Sequence, residues 1–266
     1  MNAKKTGETA LLTGASGGLG LDLSRFLARD GYDLVLVARR GDKLSSIAEE
    51  FSHEYGTTVY VCPADLDGSA GVKKVLDFVQ KQSLTIDILI NNAGIGFFGR
   101  FVDIPAESIT TMVRLNTLAL TELTRAFLPD MLRRRKGRIM NVASTAAFQP
   151  GPLMAVYYAT KAYVLHLSEA LDDEYHKSGV RITAFCPGPT RTDFHDRAGM
   201  DSSMPLLKLM DSAAAASIGY RGMLRGKRVV VPGLKNRIMS MISQRLPRRL
   251  ATRIIHHIQE GRMGGR

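Results

Sequence analysis

Seven short runs of β-branched and aliphatic residues recur along the chain, at 9–13, 33–38, 58–62, 86–90, 138–142, 180–186 and 228–232. Between most of them lie stretches of helical length and period. Over 21–29, for example, Leu23, Phe26 and Leu27 recur at helical spacing and Gly31 ends the pattern. Regular alternation of strand and helix means βαβ units, and predicts an α/β fold: one domain built on a doubly wound, mostly parallel sheet of about seven strands.

Two stretches depart from the alternation. Residues 189–212 mix Pro189, Gly and Asp-Ser breakers with Thr192, Phe194, Met200, Met204, Leu206 and Leu207, which reads as a binding loop or lid. Residues 234–259 read as two amphipathic helices broken at Pro247. Leu234, Ile238, Met241, Ile242 and Leu246 mark the first, and Leu250, Ile254, Ile255 and Ile258 the second. The chain is therefore expected to divide into a domain at 1–233 and an extension at 234–266.

Charge sharpens that division. Of a net +11 over 266 residues, the stretch 225–266 holds 11 Lys/Arg against one acid, Glu260, so the body is nearly neutral. A neutral body with a basic end points to a local surface function, not to nucleic-acid binding by the whole protein. The run Arg133-Arg134-Arg135-Lys136 precedes Gly137 and reads as favourable charge at a helix C-terminus. Composition, at 45% hydrophobic and 23% charged, is that of a globular protein. Cys62 and Cys186 make neither a disulfide framework nor a zinc site, and His166, His195, His256 and His257 show no ligand spacing, so no metal is expected. No run approaches the roughly 18 apolar residues of a membrane span, and Ala10-Leu11-Leu12 after Lys4-Lys5 is too short for a signal peptide. The expected location is cytoplasmic.

Candidate chemistry begins at the end of the first strand, in Thr13-Gly14-Ala15-Ser16-Gly17-Gly18-Leu19-Gly20. Glycines there let the backbone turn tightly and approach a pyrophosphate at a helix start. The spacing is neither Gly-x-Gly-x-x-Gly nor a P-loop, and by itself also suits a turn without a ligand. The second strand runs into Ala38-Arg39-Arg40. An acid at that point would favour NAD; an arginine fork suits a 2′-phosphate and so NADP.

Tyr157 and Lys161 lie one helical turn apart in a stretch that reads as helix from Tyr157 to Glu174. An ammonium near a phenol lowers its pKa, giving a tyrosine able to donate and recover a proton. Ser144 follows the strand at 138–142, Asn91-Asn92-Ala93-Gly94 the strand at 86–90, and Pro187-Gly188-Pro189 the strand at 180–186. All stand at C-terminal ends of strands, where open α/β sheets bind ligands.

With these motifs in this order, residues 9 to 232 resemble the short-chain dehydrogenase/reductase family, whose fold is of the Rossmann type. The resemblance implies Tyr157 as proton donor and acceptor, and Ser144 as hydrogen-bond partner of the substrate carbonyl. It implies Lys161 as holder of the nicotinamide ribose and Asn116 as the placer of a relay water. Asp65 would bracket the adenine, Asn92 would lie near the adenosine ribose, and Thr192 would touch the nicotinamide amide. With Gly14, Ser16, Gly18, Leu19, Gly20, Arg39, Leu66, Ala93, Gly94, Pro187 and Gly188 they make the expected dinucleotide site. NADP(H) is the preferred cofactor, with NAD(H) the alternative.

Ile95, Phe97, Phe98, Phe148, Met154, Phe194 and Met204 are expected to face the pocket, which favours a small hydrophobic ketone, alcohol or acyl substrate. The tail resembles that of a mostly bacterial subgroup acting on ketones or fatty acyl groups. Its apolar stripes suit packing on the domain or a sister subunit, or contact with an anionic membrane, and its charge suits an acidic carrier or nucleic acid. The family implies a homodimer or homotetramer through helices around 105–135 and 157–175. The rival readings are an NAD-dependent hydroxysteroid-like alcohol dehydrogenase and a non-enzymatic dinucleotide sensor.

Overall fold

The computed structural model describes residues 5–192, 194, 198 and 209–261. Met200, Met204, Leu206, Leu207 and His195 lie outside them. All seven expected strands form: β1 (Thr9–Thr13), β2 (Asp33–Ala38), β3 (Val59–Pro63), β4 (Ile86–Asn91), β5 (Gly137–Val142), β6 (Val180–Phe185) and β7 (Val229–Val230). They make one parallel sheet in the order β3-β2-β1-β4-β5-β6-β7. The last strand is shorter than its sequence suggested. Only Val229 and Val230 pair with β6, because the chain reaches Pro232, which has no N–H to donate, and Gly233 at φ +83°.

The helices are α1 (Gly18–Arg29), α2 (Gly41–Tyr55), α3 (Ser69–Lys81), α4 (Ala106–Val113), α5 (Leu120–Arg134), α6 (Ala155–Tyr175), α7 (Ser212–Leu224), α8 (Leu234–Arg245) and α9 (Arg248–Glu260). Alternation along each strand explains the continuous apolar runs, because both faces of the sheet are covered. Ala10, Leu12, Leu34, Leu36, Ile88 and Ile90 meet Leu23 and Leu27 of α1, Phe51 of α2 and Tyr220 and Met223 of α7. Their neighbours Leu11, Val35, Val37, Leu89, Ile139 and Ile182 meet Val72 and Val75 of α3 and Leu123, Leu128 and Met131 of α5. Val164 and Leu165 of α6 cover Ala184 and Cys186.

Strand order reverses between β1 and β4, so a crevice opens above their C-terminal ends. Arg133 and Arg134 of the basic run stand in the last turn of α5, as expected, and Arg134 also binds Asp130 and Asp87, both at 2.7 Å. The extension folds as its pattern predicted, with Pro247 immediately before α9. It lies against the body: Ser240, Ala251 and Gln259 are buried, and α8 packs on the short turn of helix at Thr145–Phe148.

Candidate active site

A cavity of about 540 Å³ occupies the crevice, and its wall contains every sequence-chosen site residue except Gly20 and Asn116. Its floor is the turn after β1. Gly14 stands at φ +68°, and a Cβ on it would lie 2.7 Å from Asn92 Nδ2 and 3.0 Å from Ala93 Cα. The turn and the segment after β4 therefore close on one another with no space for a side chain. Asn92 Nδ2 donates to the Thr13 and Gly14 carbonyls at 3.0 and 3.2 Å, and Thr13 Oγ1 accepts from the Asn92 and Ala93 amides, both at 3.0 Å. The Asn92 side chain thus braces the turn. Gly20 does not face the cavity: a Cβ there would overlap the Gly14 carbonyl, so this glycine lets α1 pack on the turn.

At the far end of β2, Arg39 and Arg40 both line the cavity. Arg39 is largely exposed and stands 4.0 Å from Asp65. Arg40 Nη2 donates to Ser16 Oγ at 3.2 Å, tying the second arginine to the glycine turn. Arg40 lies outside the expected set, although it adjoins Arg39 in sequence. A glycine cradle and two arginines at one rim fit a dinucleotide carrying a phosphate on its adenosine side.

The other end holds Ser144, Tyr157 and Lys161. Ser144 begins the turn of helix after β5, where its Oγ accepts from the Ala146 amide at 3.1 Å. Lys161 is buried and its Nζ donates to the Val142 carbonyl at 2.8 Å, 5.8 Å from the centre of the Tyr157 ring. The ring also packs on Phe194, with centroids 5.3 Å apart, and on Tyr158. Gly96 permits this: a Cβ there would lie 2.8 Å from Phe194 and 3.0 Å from Tyr157.

Burial dominates the electrostatics at this end of the cavity. Burial pushes the Tyr157 phenol well above the usual tyrosine value, and a hydrogen bond with Ser144 only partly opposes it. The Lys161 ammonium sits over the ring, bonded to the Val142 carbonyl. Burial pushes Lys161 down to about 8. Tyr157 therefore holds its proton at neutral pH.

Asn116 is held by hydrogen bonds within the protein. It sits in a π-helical turn, Arg114–Ala119, between α4 and α5, and is buried. Its Oδ1 accepts from the Ile95 amide at 3.0 Å, and its Nδ2 donates to the Ile95 carbonyl at 2.8 Å and Thr160 Oγ1 at 3.1 Å. The side chain clamps the loop after β4 to α6 and lies off the cavity wall.

Polar pins invisible to periodicity hold α6 in place. Asn91 donates to Asn141 Oδ1 at 2.9 Å, and Asn141 donates to Ser168 at 3.0 Å. Near the other end of α6, Asp172 accepts two bonds from Arg181, at 3.0 and 3.1 Å, and one from the Ile182 amide. The apolar wall contains Ile95, Leu115, Met154 and Phe194. Phe97, Phe98 and Phe148 are not in it; Phe148 packs in the core beneath α6. Thr192 is in the wall, its Oγ1 accepting from the Phe194 amide at 3.3 Å. Tyr158 and Gln259 line the cavity as well, and were not expected there.

Known proteins share this fold. A sequence profile of the family described as short chain dehydrogenase matches residues 8–202. The ketoacyl reductase HetN of a Nostoc species is 32% identical over 244 residues, covering 91% of this chain and 80% of that protein. A short-chain dehydrogenase from Sphingobium yanoikuyae, solved in complex with NADPH, is 37% identical with a TM-score of 0.82, over 90% of this chain and 93% of that one. A bulky-bulky ketone specific alcohol dehydrogenase from Comamonas testosteroni is 34% identical with a TM-score of 0.78, over 90% and 92%. The sheet, the glycine cradle and the profile that spans most of the domain agree: this chain belongs to the short-chain dehydrogenase/reductase family of dinucleotide-dependent oxidoreductases.

Proposed function

We propose that the protein interconverts carbonyl and alcohol groups of hydrophobic substrates with NADP(H), reduction of a ketone being the favoured direction. The observation that carries this reading is the convergence of Ser144, Tyr157 and Lys161 on one cavity whose other end is the glycine turn with Arg39 and Arg40. When bound, NADP(H) supplies or accepts the hydride. Tyr157, held protonated by burial, gives its proton to the carbonyl oxygen, and Ser144 hydrogen-bonds that oxygen. Lys161 and Tyr157 would hold the ribose on the nicotinamide side, and Thr192 its amide. Arg39 and Arg40 would hold the 2′-phosphate. Ile95, Met154 and Phe194 keep water from the reacting carbon.

The relatives agree in kind, being named for ketoacyl reduction, for NADPH and for a bulky ketone. The test is a panel of bulky ketones with NADPH or NADH, followed by loss of reduced nicotinamide absorbance. The reading expects turnover with NADPH and formation of the alcohol; no turnover of any member would overturn it.

Surface features extend the proposal. Val113, Leu118 and Tyr163, on or beside α4 to α6, are exposed and form the face on which copies of the chain would pair, as sedimentation would show. The extension exposes Leu234, Ile238, Met241, Ile242, Leu250, Ile254 and Ile258 among its basic residues. Two such tails repel, whereas an anionic bilayer attracts one and accepts its apolar side chains. The protein is therefore expected to float with phosphatidylserine vesicles, not with phosphatidylcholine alone, and to be released by salt. Absence of vesicle binding at low salt would contradict this.

A further inference from the structure

In α9 only Ala251 and Gln259 are buried, while Leu250, Ile254 and Ile258 face solvent. Burying a glutamine is costly unless its amide is hydrogen-bonded, so its placement marks a built contact. Gln259 is 2% exposed, and Nε2 donates to the Tyr158 hydroxyl at 3.2 Å. Both residues line the cavity that contains Ser144 and Tyr157. Tyr158 is seated against Gly151, where any Cβ would overlap its ring, and it meets the Tyr157 ring edge-on at 6.2 Å. The last helix thus brings an amide to the Tyr158 hydroxyl beside Tyr157, in a wall that also holds the apolar Ile95, Met154 and Phe194 and the polar Gln149.

We propose that Gln259 and Tyr158 form a second polar subsite of the substrate cavity, which binds a neutral oxygen of the substrate other than the one Tyr157 protonates. The proposal rests on the reductase reading above and assigns it a substrate class: ketones carrying a second carbonyl or hydroxyl oxygen near the first, as a 3-oxo ester does. An amide offers both a donor and an acceptor and a phenol one of each, so the pair suits a neutral oxygen. Gln259 and Tyr158 are bonded to each other when nothing binds, so a plain alkyl ketone leaves neither orphaned. Discrimination is therefore about tenfold, far short of the factors reached where an unmatched ligand strands buried groups.

The test compares kcat/KM for a 3-oxo ester and for an alkyl ketone of equal chain length, both with NADPH, in wild type, Gln259→Leu and Tyr158→Phe. The ratio of the two values is expected to fall about five- to tenfold in each variant, chiefly through KM of the oxo ester. NADPH affinity, titrated in parallel, reports that each variant is folded. An unchanged ratio, including the case where both substrates weaken together, would show that Gln259 merely packs the tail and would overturn the subsite. If wild type binds NADPH and reduces neither ketone, the substrate reading falls and the subsite with it. If it binds no NADPH, the reductase reading itself fails.

Discussion

Replacing Tyr157 by Phe is expected to lower kcat for ketone reduction about a thousandfold, while weakening NADPH binding only about two- to tenfold, by the one ribose hydrogen bond it removes. Phe keeps the ring that packs on Phe194 at 5.3 Å and on Tyr158 at 6.2 Å, so the wall of the cavity survives. What disappears is the one proton that burial keeps on the phenol, together with the bond to Ser144. Steady-state turnover and a fluorescence titration of the same preparation check both halves. Retained turnover would remove Tyr157 from the chemistry. A protein that only senses the dinucleotide would be indifferent to the substitution.

Lys161→Met should have two effects of opposite kind. Turnover falls by at least about a hundredfold, because the group proposed to hold the nicotinamide ribose in place is gone. Stability at pH 7, however, rises. The lysine is pushed down from its ordinary 10.5 to about 8 by burial, so the folded state binds fewer protons than the unfolded chain between those values. Wild-type stability therefore increases as pH rises from 8 to 10.5, and is lowest where the buried amine is charged. The charge costs up to about 3 kcal/mol. Losing the Nζ bond to the Val142 carbonyl returns about 1 of these. The net gain, about 2 kcal/mol, corresponds to a Tm higher by roughly 5 °C at pH 7 and shrinks towards pH 10.5. A variant less stable than wild type at pH 7 would contradict this account. Activity maintained at the expense of stability is a familiar bargain at such sites.

The fold was legible because its strands are buried on both faces, so that each announces itself as a short apolar run between helical stretches. The glycine turn and the Tyr157–Lys161 pair were legible because each is local, with its geometry set by a few neighbouring residues. What could not be read was long-range. Gln259 reaches a tyrosine 101 positions away, and an amphipathic pattern offers no signal that its one buried glutamine enters a cavity. The place of Asn116 in a water relay came from family likeness alone, and spacing gave no sign that its amide binds Ile95 and Thr160. The direction of the Tyr157 shift depends on how deeply the ring is packed, which spacing does not report. Of the expected lid, Thr192 and Phe194 reach the cavity wall.

The most direct test of the central claim is a side-by-side fluorescence titration of the purified protein with NADPH and NADH, repeated on the Arg39→Ala/Arg40→Ala double variant. Two guanidinium groups on one phosphate predict NADPH binding at least about tenfold tighter than NADH in wild type, with that preference lost in the variant and NADH affinity unmoved. Equal affinities in wild type would remove the arginines' assigned role and favour NAD(H), whereas binding of neither nucleotide would contradict the reading of the cavity as a dinucleotide site.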